Sequence, residues 1–271
     1  MAVIIDAWMQ HPTLRHLQHP MFDSLRRWMG DAIPSAEIPL DMTLGALREA
    51  NISLGLTSAW CGPQGWLIDN DEAADFARRS NGVLRPVASA PLTQPMAAVR
   101  ELRRAVRDLG CIALRVIPWL WDLPPDDRRY YPLYAECCEL DIPFCTQVGH
   151  TGPLCPSEPG RPIPYLDRVA LEFPDLKIVA GHIGFPWVNE MISLARKYPN
   201  VFIDTSAYTA KRYPSELVDY LKSSGRTKVL FGSNYPMITP AQCLADLPTL
   251  GLDAETTRLF LGENAARVFG V

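Results

Sequence analysis

Long apolar runs are missing from this chain, and so are clustered cations and paired cysteines. No stretch approaches the ~18 consecutive apolar residues of a membrane span, so no membrane partner is expected. The first residues do not lead from a basic segment into a long apolar core; no secretory signal is expected, and a cytoplasmic location is. Asp and Glu (30) outnumber Lys and Arg (26), for a net charge of −4. The cations are dispersed, which argues against a nucleic-acid partner. Their tightest group, Arg100, Arg103, Arg104 and Arg107, recurs at helical spacing and reads as a solvated helix face. The seven cysteines are odd in number and form no CxxC pair, as reduced, buried thiols would. No internal repeat and no linker appears, so one domain over residues 1–271 is expected.

The 271 residues are 48% hydrophobic and 21% charged, an ordinary globular composition. Short apolar runs alternate with helical periodicity. Strands are expected from Val3 to about Gln10, then at Ile52–Thr57, Val83–Ser89, Cys111–Val116, Pro143–Val148, Lys177–Ala180, Val201–Asp204 and Lys228–Phe231. Helical segments fill most of the gaps, and Ser58–Trp66 reads as an aromatic loop punctuated by Gly and Pro. Eight strands alternating with helices specify an α/β fold, most simply a closed (β/α)8 TIM barrel. Chemistry in such barrels sits where strands end. The residues at those ends are Gln10, Trp60, Arg115, His150, His182, Asp204 and Asn234.

Several segments together resemble the amidohydrolase-2 family. They are Ile5-Asp6-Ala7, Gly149-His150-Thr151-Gly152, Phe173-Pro174-Asp175-Leu176-Lys177-Ile178-Val179 with Gly181-His182-Ile183-Gly184, Asp204-Thr205-Ser206, Val229 to Pro236, and Gly262 to Arg267. They follow the family's order over nearly the whole chain. The resemblance is to the branch holding aminocarboxymuconate semialdehyde decarboxylase and the resorcylate decarboxylases. It implies the barrel fold, and a metal held by an HxH pair on the first strand, a histidine after the fifth and an aspartate after the eighth. His150 matches the fifth-strand ligand, and His182 a sixth-strand histidine that assists the chemistry. Trp8 and Gln10 stand in place of the HxH pair, and Asn234 in place of the aspartate. Indole cannot ligate and neutral amides are poor ligands for zinc, so no bound metal and no other cofactor is expected.

The expected enzyme is therefore an amidohydrolase-like hydrolase or lyase acting on a small aromatic or cyclic carboxylate or acyl compound. His150 and His182, with near-neutral pKa values, would carry protons. Asn234 and Gln10 would offer amide donors to an oxyanion. Trp8, Trp60 and Trp119 would wall a pocket for a flat substrate, and Arg115 and Arg161 would bind a carboxylate. Two other readings compete: an inactive barrel that binds a ligand or partners an active paralogue, and an enzyme with a divalent metal such as zinc rearranged onto Cys155 or Asp6. Homo- or hetero-oligomers are compatible with all three.

Overall fold

Eight short parallel strands close on themselves in the computed structural model, which describes residues 3–29 and 36–271, the side chains of 28 and 29 aside. In chain order the strands are β1 (Ile5–Met9), β2 (Leu54–Ser58), β3 (Trp60–Gly62), β4 (Gly65–Ile68), β5 (Leu84–Val87), β6 (Leu114–Val116), β7 (Phe144–Gln147), β8 (Ile178–Gly181), β9 (Val201–Asp204) and β10 (Val229–Leu230). One parallel ladder runs β1-β2-β5 and a second runs β6-β7-β8-β9-β10. Bridges between Ala88 and Leu114 and between Met9 and Tyr235 join the two into a ring. The seam is tightened where the Ala7 amide donates to the Phe231 carbonyl at 2.9 Å. This is the (β/α)8 barrel.

The alternation of side chains along each strand divides the core in two. Cys145 on β7, Val179 on β8 and Phe202 on β9 point into the barrel and pack with Ile5, Leu56, Val87 and Leu230. Their neighbours Phe144, Ile178 and Val201 point outward against the helices. Helix Pro95–Arg107 shows how the outer layer is built. Ala98, Val99, Leu102 and Ala105 recur at helical spacing and are buried, each large apolar side chain contributing about 1.5–3 kcal/mol over exposure. On its far face Arg103 pairs with Glu136 at 2.7 Å and Arg104 with Asp71 at 2.6 Å, so the basic group is a helix surface laced with ion pairs.

One expectation needs correcting. Ser58–Trp66 is no irregular loop: β3 and β4 form an antiparallel hairpin in which Trp60 pairs with Ile68 and Cys61 with Trp66. The turn depends on Gly65, at φ +115°, where a side chain would be strained. Its strands are too short for their alternation to stand out in the sequence. No helix among the described residues is long and apolar enough to cross a membrane.

Candidate active site

The loops beyond the strand C-termini enclose a cavity of about 360 Å³, within the size range of small-molecule sites. Gln10 enters it from the end of β1, Trp60 from the start of the hairpin, Gln147 from the last position of β7, and Asn234 from beyond β10. His150 and His182 line it from the loops after β7 and β8, and Trp119 from the short helix Pro118–Trp121. Of the residues singled out in the sequence, Gln10, Trp60, Trp119, His150, His182 and Asn234 thus share one cavity.

The amides are fixed by groups with only one hydrogen-bonding role. The Trp119 indole N–H can only donate, and it donates to Gln147 Oε1 at 2.7 Å. That leaves the Gln147 NH2 turned away from Trp119. The Tyr235 carbonyl can only accept, and it accepts a hydrogen bond from Gln10 Nε2 at 2.7 Å. Gln10 Oε1 then faces the Trp60 N–H at 3.3 Å. Asn234 is held through its backbone, its N–H donating to the Trp8 carbonyl at 2.8 Å. Its side chain makes no hydrogen bond to any described residue and is available to the cavity.

His182 is buried, with Nδ1 2.8 Å from Ser206 Oγ. Burial first, and then the positive charge of Arg115, push its pKa down to about 3. Its imidazole is therefore neutral across the physiological range, which corrects the expectation of a near-neutral proton carrier: loss of water around the charged form outweighs the ring's ordinary basicity. His150 lies exposed at the rim, its backbone N–H held by the Phe185 carbonyl at 2.7 Å. Three non-glycine residues lining the cavity, His182 (φ 72°), Ala207 (φ 67°) and Asn234 (φ 70°), take up left-handed backbone, a cost that clusters where loops must present side chains.

Three expected substrate contacts lie elsewhere. Trp8 is inside the barrel, packed over Gly181, where a Cβ would come within 2.6 Å of the indole. Its neighbour Arg115 is also fully buried, donating to the carbonyls of Ala7 and Met9 at 3.3 Å each. Burial lowers the Arg115 pKa to about 10. Arg161 points out of the barrel mouth and is held by Glu190 at 2.7 Å. Alternation on β1 does set Gln10 toward the cavity, while His11 turns outward to Thr43 Oγ1 at 2.7 Å. Among the lining residues that the sequence did not mark are Phe22 and four polar ones, His16, Gln147, Tyr208 and Arg212. Only Gln147, polar at the end of an apolar strand, carried a signal that could have found it.

Below the cavity, Asp6 receives the Ser233 amide at 2.9 Å and the Ser233 hydroxyl at 2.5 Å. Asp204 Oδ1 receives the Ser206 amide at 2.9 Å. Burial raises Asp6 to about 6 and Asp204 to about 7, outweighing both these hydrogen bonds and the attraction of Arg115. Both carboxylates anchor strand ends.

These residues do not fit a divalent metal. At the positions that the family resemblance would give to a metal stand an indole, two amides and a single imidazole, and a buried guanidinium lies against the indole. Among the described residues no group of three or more His, Cys, Asp or Glu side chains could hold a metal ion. Nor do the alternative ligands help: Asp6 is engaged by Ser233, and Cys155, its thiol pushed up by burial, opens on a separate, shallower pocket.

Comparison with known proteins gives a consistent picture. The sequence model described as Amidohydrolase matches residues 34–271. Gamma-resorcylate decarboxylase of Rhodococcus jostii (strain RHA1) is 28% identical over 295 residues, covering 84% of this chain and 87% of that protein. An uncharacterized TIM-barrel protein from Bordetella bronchiseptica superposes with a TM-score of 0.85 at 25% identity, over 98% of each chain. A 5-carboxyvanillate decarboxylase from Novosphingobium aromaticivorans, solved with bound manganese and a nitrobenzoic acid, superposes with a TM-score of 0.72 at 16% identity, over 100% of this chain and 97% of that one.

Proposed function

The chain belongs to the amidohydrolase family and is an enzyme of that superfamily; from that premise we propose that it decarboxylates a small aromatic carboxylate, without a catalytic metal. The observation that carries this reading is the make-up of the cavity. Phe22, Trp60 and Trp119 give it flat apolar walls, and amides, imidazoles and, among the described residues, a single cation, Arg212, are set among them. A planar ring can lie against such walls, and its carboxylate has a guanidinium and amide N–H groups to meet.

The chemistry is a proton-for-CO2 exchange at one ring carbon. A proton adds to the carbon bearing the carboxylate, the C–C bond to the carboxylate then breaks, and its electron pair restores the aromatic ring as CO2 leaves. His150, at the solvent-exposed rim, delivers the proton and recovers it from water. His182 stays neutral and, anchored by Ser206, fixes the orientation of the reacting group. Asn234 and Gln10 donate hydrogen bonds to charge gathering on substrate oxygen. The ligand set that would recruit a metal is replaced, and its loss is what supports the metal-free part of the reading.

The test uses tag-free protein stripped with chelator, offered 2,6-dihydroxybenzoate (gamma-resorcylate) and other ring carboxylates, with CO2 and the decarboxylated ring both measured. Product formed equally well with and without chelation is the expected result. Turnover that appears only after manganese or zinc is added would sink the metal-free mechanism. No turnover of any ring carboxylate under either condition would sink the decarboxylase reading itself.

A further inference from the structure

His16 is a buried imidazole of the cavity that no described residue satisfies. It lies in the four-residue helix Leu14–Leu17, whose first turn is fixed by Thr13: the Thr13 hydroxyl accepts from the His16 amide at 3.2 Å and donates to the Leu67 carbonyl at 2.5 Å. The hairpin thereby sets where the helix sits. The His16 ring is wholly buried, edge-on to Phe22 and to Trp60 at 4.9 Å each. Yet neither Nδ1 nor Nε2 has a hydrogen-bond partner among the described residues. An imidazole always carries polar nitrogens on both sides of its ring, so leaving both unpaired in an apolar clamp is costly. A leucine or phenylalanine would fill the same space without that cost.

The ring borders the cavity, and the neighbouring wall is short of acceptors in a matching way. Trp60 links His16 to Trp119, their indoles 6.3 Å apart. Trp119 takes up the oxygen of Gln147, whose NH2 has no acceptor among the described residues. A neutral imidazole offers one N–H and one lone pair, and the amide offers two further N–H groups. A ring hydroxyl both donates and accepts, as the unpaired imidazole requires, and the ring that carries it can lie against the tryptophans.

We infer that His16 forms a subsite for a ring hydroxyl of the aromatic carboxylate, and that it determines specificity for hydroxylated over unsubstituted rings. This rests on the reading of the cavity as an aromatic-carboxylate site. It adds the residue that chooses among such substrates. A site built to hydrogen-bond a hydroxyl rejects the analogue lacking it, because the buried polar groups then go unpaired.

The test measures binding of 2,6-dihydroxybenzoate and of benzoate by calorimetry to the wild-type protein, His16→Phe and His16→Gln. The wild type is expected to prefer the dihydroxy ligand by at least about tenfold. That ratio should collapse toward one in His16→Phe and be partly restored in His16→Gln, which keeps a donor and an acceptor. An unchanged ratio in a folded His16→Phe overturns the inference. Equal wild-type affinity for the two ligands also overturns it, while the aromatic-carboxylate reading stands. If neither benzoate binds, both fall together. Should His16→Phe not fold, the wild-type protein decides through its imidazole ¹⁵N resonances. His16 nitrogens that shift with 2,6-dihydroxybenzoate but not with benzoate support the subsite, and nitrogens indifferent to both overturn it.

Discussion

The guanidinium of Arg115 lies 3.9 Å from the centroid of the Trp8 indole, both side chains wholly buried in the barrel. The family resemblance implies a metal-ligating histidine at the position of this indole, and here a positive charge is stacked upon it instead. A second cation brought to the barrel mouth would meet that charge at low dielectric. Removal of metal should therefore leave the protein unmoved: exhaustive chelation is expected to shift the melting temperature by less than about 2 °C, against the several degrees that loss of a bound structural ligand produces. Elemental analysis beside the melting curves checks this, and stoichiometric metal that stabilises the fold would contradict it.

The same stack predicts a stability defect. Arg115 caps the Ala7 and Met9 carbonyls and partly offsets Asp6 and Asp204. Arg115→Met leaves those oxygens unpaired and is expected to cost roughly 3–5 kcal/mol. Arg115→Lys should recover little of this, because a lysine cannot span two carbonyls while stacking flat on an indole. Trp8→Ala, which empties the barrel centre, should cost about 3–5 kcal/mol. Urea unfolding measures all three.

Acid sensitivity follows from the buried histidines. His16 and His182 are held near 3 and His11 near 4, all below the unfolded value of about 6.5. Their contribution is complete above pH 6.5 and is lost as pH falls toward those folded values. Asp6 and Asp204, raised to about 6 and 7 from 3.8, act the other way: their contribution is complete below pH 4 and is lost as pH rises through 6–7. Between about pH 4.5 and 6 the unfolded chain gains three protons on the histidines while the folded chain holds two extra on the carboxyls. The balance of one proton makes stability fall by roughly 1.4 kcal/mol per pH unit on acidification. His16→Phe should flatten that slope, and denaturant titrations at four or five pH values would show whether it does.

The two exposed arginines should behave differently. Arg212 borders the cavity, and Arg212→Ala is expected to raise KM for a ring carboxylate about tenfold or more, with a weaker salt dependence of binding. Arg161 is held by Glu190 outside the cavity. Arg161→Ala should change kcat/KM by less than about twofold and stability by under 1 kcal/mol. Steady-state kinetics on the two variants separates a substrate-binding cation from a surface ion pair.

The barrel was legible because its cause is local. Short apolar runs alternating with helical periods can bury their faces in few ways, and strand alternation carried Gln10 to the cavity and His11 away from it. Polar residues at strand ends, among them His182 and Asn234, marked the mouth for the same reason. Tertiary structure decided what each polar group does there. Trp8 and Gln10 are two residues apart on one strand. Whether an indole plugs the barrel or walls a pocket depended on Gly181 across the interior and on Arg115 from β6, both distant in sequence. The acidity of Asp6 and the neutrality of His182 arise from burial, which no residue's neighbours in sequence can report. His16, in a short helix with no strand beneath it, becomes part of the cavity only when Thr13 is tied to the hairpin. The alternation of apolar and polar residues fixes which side chains reach the barrel mouth, and long-range packing and desolvation determine their chemistry.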